Sequence, residues 1–134
     1  MKILLIGLAL LIPTAGYAAS GSWAADDTGV ILTLRGRVAS SNPLRAPAGA
    51  AIGQELIATV GWRYRILGPT PAGLQVKLCA VARCMAIEGE SGQSRGLAGE
   101  AANSDLRFVF SVEGKGALNP PLRVISNQVI VNYQ

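Results

Sequence analysis

Leu56-Ile57-Ala58-Thr59-Val60-Gly61-Trp62-Arg63-Tyr64-Arg65-Ile66 is the stretch that decides the fold. Leu56, Ala58, Val60, Trp62, Tyr64 and Ile66 alternate with Ile57, Thr59, Gly61, Arg63 and Arg65, and a period of two sends successive side chains to opposite faces of a β-strand. One face is apolar and the other ends in two arginines, as in a strand with one side on a core. This places Val60, Trp62 and Tyr64 inside and turns Arg63 and Arg65 toward solvent or a partner.

The same alternation recurs on both sides of this segment. It is visible in Val30, Leu32 and Leu34, in Leu74, Val76 and Leu78, in Leu106, Phe108, Phe110 and Val112, and in Val129, Val131 and Tyr133. Shorter candidates are Met85 to Glu88 and Leu122 to Ile125. Turn signals at Asn42-Pro43, Gly68-Pro69, Gly114-Lys115-Gly116, Asn119-Pro120-Pro121 and Ser126-Asn127 divide the chain into about seven strands. A single sheet of them would leave one apolar face wet, so the expected fold is all-β, an antiparallel sandwich of two packed sheets, favoured over a barrel. Two long stretches rich in Gly, Ala and Ser interrupt the pattern, Ala39 to Gln54 and Gly89 to Asp105. Loops of that length are commonly mobile or functional.

Cys79 and Cys84 are the two cysteines of the chain. Ala80-Val81-Ala82-Arg83 separates them, a spacing that suits facing positions at the end of a hairpin and predicts a disulfide there. Redox-active dithiols favour C-x-x-C at a helix N-terminus, and neither feature is present.

The N-terminus predicts export. Lys2 is followed by an apolar run, Ile3 to Ile12, then Pro13 and the small-residue segment Thr14-Ala15-Gly16-Tyr17-Ala18-Ala19, the profile of a signal peptide cleaved after Ala18. The run is about half of the roughly 20 apolar residues that a membrane-spanning helix needs. The expected mature protein is a single domain, residues 19–134, in the periplasm and without a membrane anchor after cleavage. An oxidising compartment agrees with the expected disulfide.

The formal charge is +4, with 50% hydrophobic residues, to which the leader contributes disproportionately. The arginines are scattered, without the basic block or interleaved aromatics that grip nucleic acid, so no nucleic-acid partner is expected. No histidine occurs, which excludes Ser-His-Asp and Cys-His catalysis and the usual His-bearing zinc sites. Among the carboxylates only Glu88 and Glu90 lie close together on a loop, without the spacing of a calcium loop. There is no phosphate-binding or dinucleotide fingerprint. Catalytic residues, metal ligands and cofactors are all expected to be absent.

Resemblance extends this reading. Trp62-Arg63-Tyr64, then Gly68-Pro69-Thr70-Pro71-Ala72-Gly73-Leu74, Leu78-Cys79 and Arg83-Cys84 resemble the flagellar protein FlhE family. So do Leu106-Arg107-Phe108-Val109 and the ending Ser126-Asn127-Gln128-Val129-Ile130-Val131-Asn132-Tyr133, while Ala39 to Gln54 and Ser94 to Ser104 diverge. The resemblance implies a periplasmic accessory protein of the flagellar system, non-catalytic and chaperone-like or plug-like. It would limit proton leak through the type III export apparatus, support swarming, and have basal-body or export-gate proteins as partners. The alternative is a periplasmic carbohydrate- or peptidoglycan-binding module.

For binding, the candidate residues are Arg63, Arg65, Asn127, Gln128, Asn132 and Tyr133. Arginine and tyrosine are enriched at interface hot spots, and a last strand left unpaired, Asn127 to Tyr133, would accept a partner strand by β-augmentation.

Overall fold

The structure is a computed structural model and describes residues 20–134; the expected leader, residues 1–18, lies outside the described residues. Strands account for the regular structure: β1 (Gly21–Asp27), β2 (Ile31–Leu34), β3 (Val38–Ser40), β4 (Ile57–Leu67), β5 (Leu74–Cys79), β6 (Cys84–Ile87), β7 (Ser91–Ser94), β8 (Arg107–Val112) and β9 (Ala117–Tyr133). They form two antiparallel sheets, as expected, with strand orders β1-β9-β4-β7 and β3-β8-β5-β6, and β2 also pairs with β9. We refer to these as the first and second sheets.

The core lies between them. Tyr64 of β4 meets Phe108 and Phe110 of β8 edge-on, at ring-centroid distances of 6.2 and 5.4 Å, and these contacts tie the sheets together. Edge-to-face contacts of this kind add about 0.5–1.5 kcal/mol to the burial of the rings. Val60, Leu78, Leu106, Val129 and Val131 are fully enclosed around them. Trp62 is buried as expected, its indole Nε1 donating to the Gly89 carbonyl at 3.1 Å. Arg63 and Arg65 are exposed.

The expected alternation of β4 fails at its start. The register with β9 shifts between Ile57 and Thr59, so Ile57 is buried while Leu56 is 48% exposed. A bulge of one residue reverses the faces, and the apolar set begins at Ile57 instead of Leu56 and Ala58.

Strand count is the second difference, nine among the described residues against about seven. Leu122 to Ile125 and Val129 to Tyr133 are one strand, β9, and neither Asn119-Pro120-Pro121 nor Ser126-Asn127 is a turn. The prolines lie where β2 and β9 lose register, between the pairs Leu34 with Ala117 and Leu32 with Leu122, so their missing N–H groups interrupt no regular ladder. β1, β3 and β7 were not legible as strands; β3, whose Ala39 and Ser40 fall in the stretch expected to be irregular, pairs with β8. β1 pairs with β9 over its whole length, and β7 pairs with β4 from Val60 with Ser94 to Arg63 with Ser91. Gly92 allows β7 to lie against Trp62, since a Cβ there would come within 2.6 Å of the indole.

Cys79 and Cys84 are in register at the end of the β5–β6 hairpin and are bridged. Both long irregular stretches are tied down. Leu97 and Ala102 are fully buried, the Trp23 indole donates to the Ala102 carbonyl at 2.7 Å, and Ile57 exchanges backbone hydrogen bonds with Gly99 and Glu100. Leu44 pairs with Leu106, and Arg45 forms an ion pair with Asp105 at 3.0 Å.

Candidate functional site

β4 and β9 run side by side through the middle of the first sheet, so their outward side chains form one continuous face. Register sets its rows. Arg63 stands opposite Gln128 of β9 and Ser91 of β7, and Gln128 stands opposite Asp26 of β1. Gly61 lies between Ile130 and Gln93. Thr59 lies opposite Asn132, and its Oγ1 accepts hydrogen bonds from Asn132 Nδ2 and Gln93 Nε2, each at 3.0 Å.

Because Gly61 has no side chain, a shallow hollow of about 300 Å³ opens over it, bordered by Arg63, Gln93, Gln128, Ile130 and Asn132. A second depression of about 490 Å³ continues past Arg63 to Asp26, Asp27 and Thr28. The Thr28 N–H and the Asn42 side chain donate to the Asp27 carboxylate and hold its pKa below the usual value.

Four of the six candidate residues lie on this face: Arg63, Arg65, Gln128 and Asn132. The other two point inward. Asn127 is fully buried, and neither its Nδ2 nor its Oδ1 has a hydrogen-bond partner among the described residues. Tyr133 is half-buried against the core. The expectation of a free last strand is corrected as well: Asn127 to Tyr133 pairs with β1 on one side and with β4 on the other. Both ladder directions are occupied, so β9 has no edge for a partner strand. The sequence reading also missed Arg123, which shares a row with Ile31 of β2 and Leu67 of β4.

A separate open groove of about 690 Å³ lies where β6 crosses to β7, lined by Tyr64, Thr70, Pro71, Gln75, Lys77, Glu88 and Glu90, among others. Burial raises the Tyr64 pKa, and the charge of Glu90 adds to the shift. Among the described residues no three His, Cys, Asp or Glu side chains gather as a metal site, and no helix is long and apolar enough to cross a membrane. The outer face can supply directional polar contacts and positive charge over a broad, shallow surface, which suits association with another macromolecule.

Comparison with known proteins gives this face a context. The family model described as flagellar protein FlhE matches residues 29–134. The flagellar protein FlhE of Yersinia enterocolitica is 53% identical over 116 residues, covering 87% of this chain and 83% of that protein. The FlhE of Escherichia coli strain K12 is 46% identical over 127 residues, covering 93% and 92%. A crystal structure of FlhE superposes with a TM-score of 0.82 at 48% identity, covering 87% of this chain and 99% of the other. The chain therefore belongs to the FlhE family of flagellar proteins.

Proposed function

We infer that this protein is a periplasmic accessory of the flagellar system that acts by binding and not by turnover, limiting proton leak through the type III export apparatus and so supporting swarming. The observation that carries the reading is its likeness in sequence and fold, over most of its length, to proteins named for the flagellum. Its chemistry fits. The chain has no histidine for acid–base work, and Glu88 and Glu90 line an open groove instead of a closed cleft.

The alternative, a carbohydrate- or peptidoglycan-binding module, calls for an aromatic-lined groove. Trp23 and Trp62 are buried, and Tyr64 is the single aromatic residue lining the open groove between β6 and β7.

An export gate driven by the proton gradient must stay closed to protons when idle, and a rigid domain bound outside the membrane would hold a component in that arrangement. Deleting the gene should make the cytoplasm more acidic in acidic medium, and deleting the export gate as well should remove the effect. A deletant that keeps its cytoplasmic pH, or that acidifies equally without the gate, overturns the reading.

A further inference from the structure

We propose that the β2 end of the first sheet's outer face, built from Ile31, Leu67, Ile125, Arg65 and Arg123 and continued by Arg63, is a docking surface for an acidic protein segment that also presents aliphatic side chains. The proposal rests on the binding role inferred above and names the partner's chemistry.

Register assembles the patch. Ile31 of β2, Arg123 of β9 and Leu67 of β4 form one cross-strand row, with side chains about 5 Å from their neighbours. In the adjoining row Arg65 pairs with Ser126, and Ile125 is the extra residue of a bulge, since the ladder passes from Arg65 with Ser126 to Ile66 with Val124. Ile31, Leu67 and Ile125 are 62, 58 and 43% exposed. Single exposed aliphatics are ordinary, but three gathered around one arginine mark a contact surface.

Charge specifies the occupant. Among the described residues the ion pairs are Arg45 with Asp105 and Arg83 with Glu100, so Arg63, Arg65 and Arg123 keep their charges free for a partner. The nearest carboxylates by register are Asp26, one strand beyond Gln128, Asp27 beside it, whose oxygens accept from the Thr28 N–H and the Asn42 side chain, and Glu90, whose Oε1 accepts from the Ile66 N–H at 3.4 Å. A protein partner is favoured over an anionic lipid surface. The charges here are all arginine, which protein interfaces enrich while depleting lysine, and both tryptophans are buried, whereas membrane-seated surfaces place Trp and Tyr at the headgroup level.

The test is complementation of a deletion strain, read by cytoplasmic pH and swarming. Four forms are compared: wild type, Arg65→Glu with Arg123→Glu, Arg65→Ala with Arg123→Ala, and Lys77→Glu with Arg107→Glu, which makes the same charge change as the first pair but on the second sheet. The patch variant should behave as the deletion, the control as wild type, and Arg65→Ala with Arg123→Ala should fall between them, because charge reversal adds repulsion to the loss of attraction. Urea midpoints of all three variants should match wild type, as expected for surface changes.

If the deletion itself has no defect, the flagellar role falls. If the deletion is defective and the patch variant restores it fully, or the control fails equally, the docking surface falls while that role stands. Sedimentation with vesicles containing one-third phosphatidylglycerol separates the two sources of negative charge. Co-sedimentation of wild type that is lost in the patch variant would assign the surface to lipid and overturn the protein partner; wild type remaining in the supernatant supports it.

Discussion

Gly29→Ala is the substitution whose cost the structure sets most sharply. Gly29 lies between β1 and β2, where the chain steps along the side of β9, and a Cβ added there would sit 1.9 Å from the Val124 carbonyl oxygen and 2.4 Å from its carbon. Those atoms are backbone. A normal contact needs more than 3 Å, so the β1–β2 junction has to move away from β9 by about 1.5 Å. That movement breaks the hydrogen bond from the Val124 N–H to the Val30 carbonyl, 2.8 Å in the native fold. A lost hydrogen bond of about 0.5–1.5 kcal/mol, added to overpacking of about 1–3 kcal/mol, gives about 1.5–4.5 kcal/mol. Gly68→Ala is the comparison: its φ of +91° is strained for any L-residue, but nothing lies within 4 Å, so the expected cost is about 1–2 kcal/mol. Urea melts with equal m-values measure both. If Gly29→Ala stays within about 0.5 kcal/mol of wild type, or costs less than Gly68→Ala, then close approach is not what holds the junction, and the placement of Ile31 beside Arg123 loses its structural basis.

Trp62→Ala should cost about 3–5 kcal/mol through the cavity it leaves, whereas Arg63→Ala should stay within about 0.5 kcal/mol; equal small losses in urea would place Trp62 on the surface. Serine at both Cys79 and Cys84 should lower stability by about 2 kcal/mol, as expected for so short a loop, and leave a folded domain, with intact mass before and after reduction reporting the bridge. The raised Tyr64 pKa means that folding favours the neutral phenol. Its contribution is complete below the unfolded value of 10.0 and is lost as pH rises through the higher folded value. Tyr64→Phe should therefore flatten the alkaline end of the stability profile, and an unchanged profile would contradict the assignment. Asn127→Val together with Ile125→Asn should raise stability by about 2 kcal/mol, from relief of unmet polar groups and added apolar burial, while abolishing complementation; a variant that still complements would remove Ile125 from the docking surface.

The parts of the fold that were legible in the sequence are those where one residue's chemistry decides. Trp62 and Tyr64 against Arg63 and Arg65 admit a single orientation, and the short cysteine spacing admits a hairpin bridge. The bulge at the start of β4 left no trace, because Leu56 and Ile57 are both aliphatic and either reading gives an apolar face. Ser91-Gly92-Gln93-Ser94 has little strand propensity of its own; pairing with β4 and room for an indole make it a strand. Arg63 and Arg65 were legible as outward residues from their own strand alone. The alternation of Val129, Val131 and Tyr133 already gives Tyr133, and Asn127 by the same parity, an inward place; what was not legible is the pairing, since β1 and β4 close both edges of Asn127 to Tyr133 and β2 and β4 bring Ile31 and Leu67 to Arg123, all from strands distant in sequence.

The bulge in β9 puts an isoleucine outside and an amide inside, two residues apart. Val124 and Asn127 both face the core, and the additional residue between them gives Ile125 an exposure of 43% while Asn127 is fully buried with both amide atoms unpartnered among the described residues. Burial without a partner costs about 1–3 kcal/mol for such a group, and an exposed isoleucine forgoes about 1.5–3 kcal/mol of burial. A strand selected for stability alone would carry the two residues in the opposite arrangement. Departures from local rules concentrate where function requires them, and bulges re-aim side chains at such places. The aliphatic residue turned outward by this bulge adjoins Arg65 and Arg123, so the position where β9 departs most from the burial rule lies beside the row of Ile31, Arg123 and Leu67 that strand register assembles. Apolar contact and charge would then reach a partner from the same rigid strands, with no loop to order on binding and correspondingly little entropy to lose.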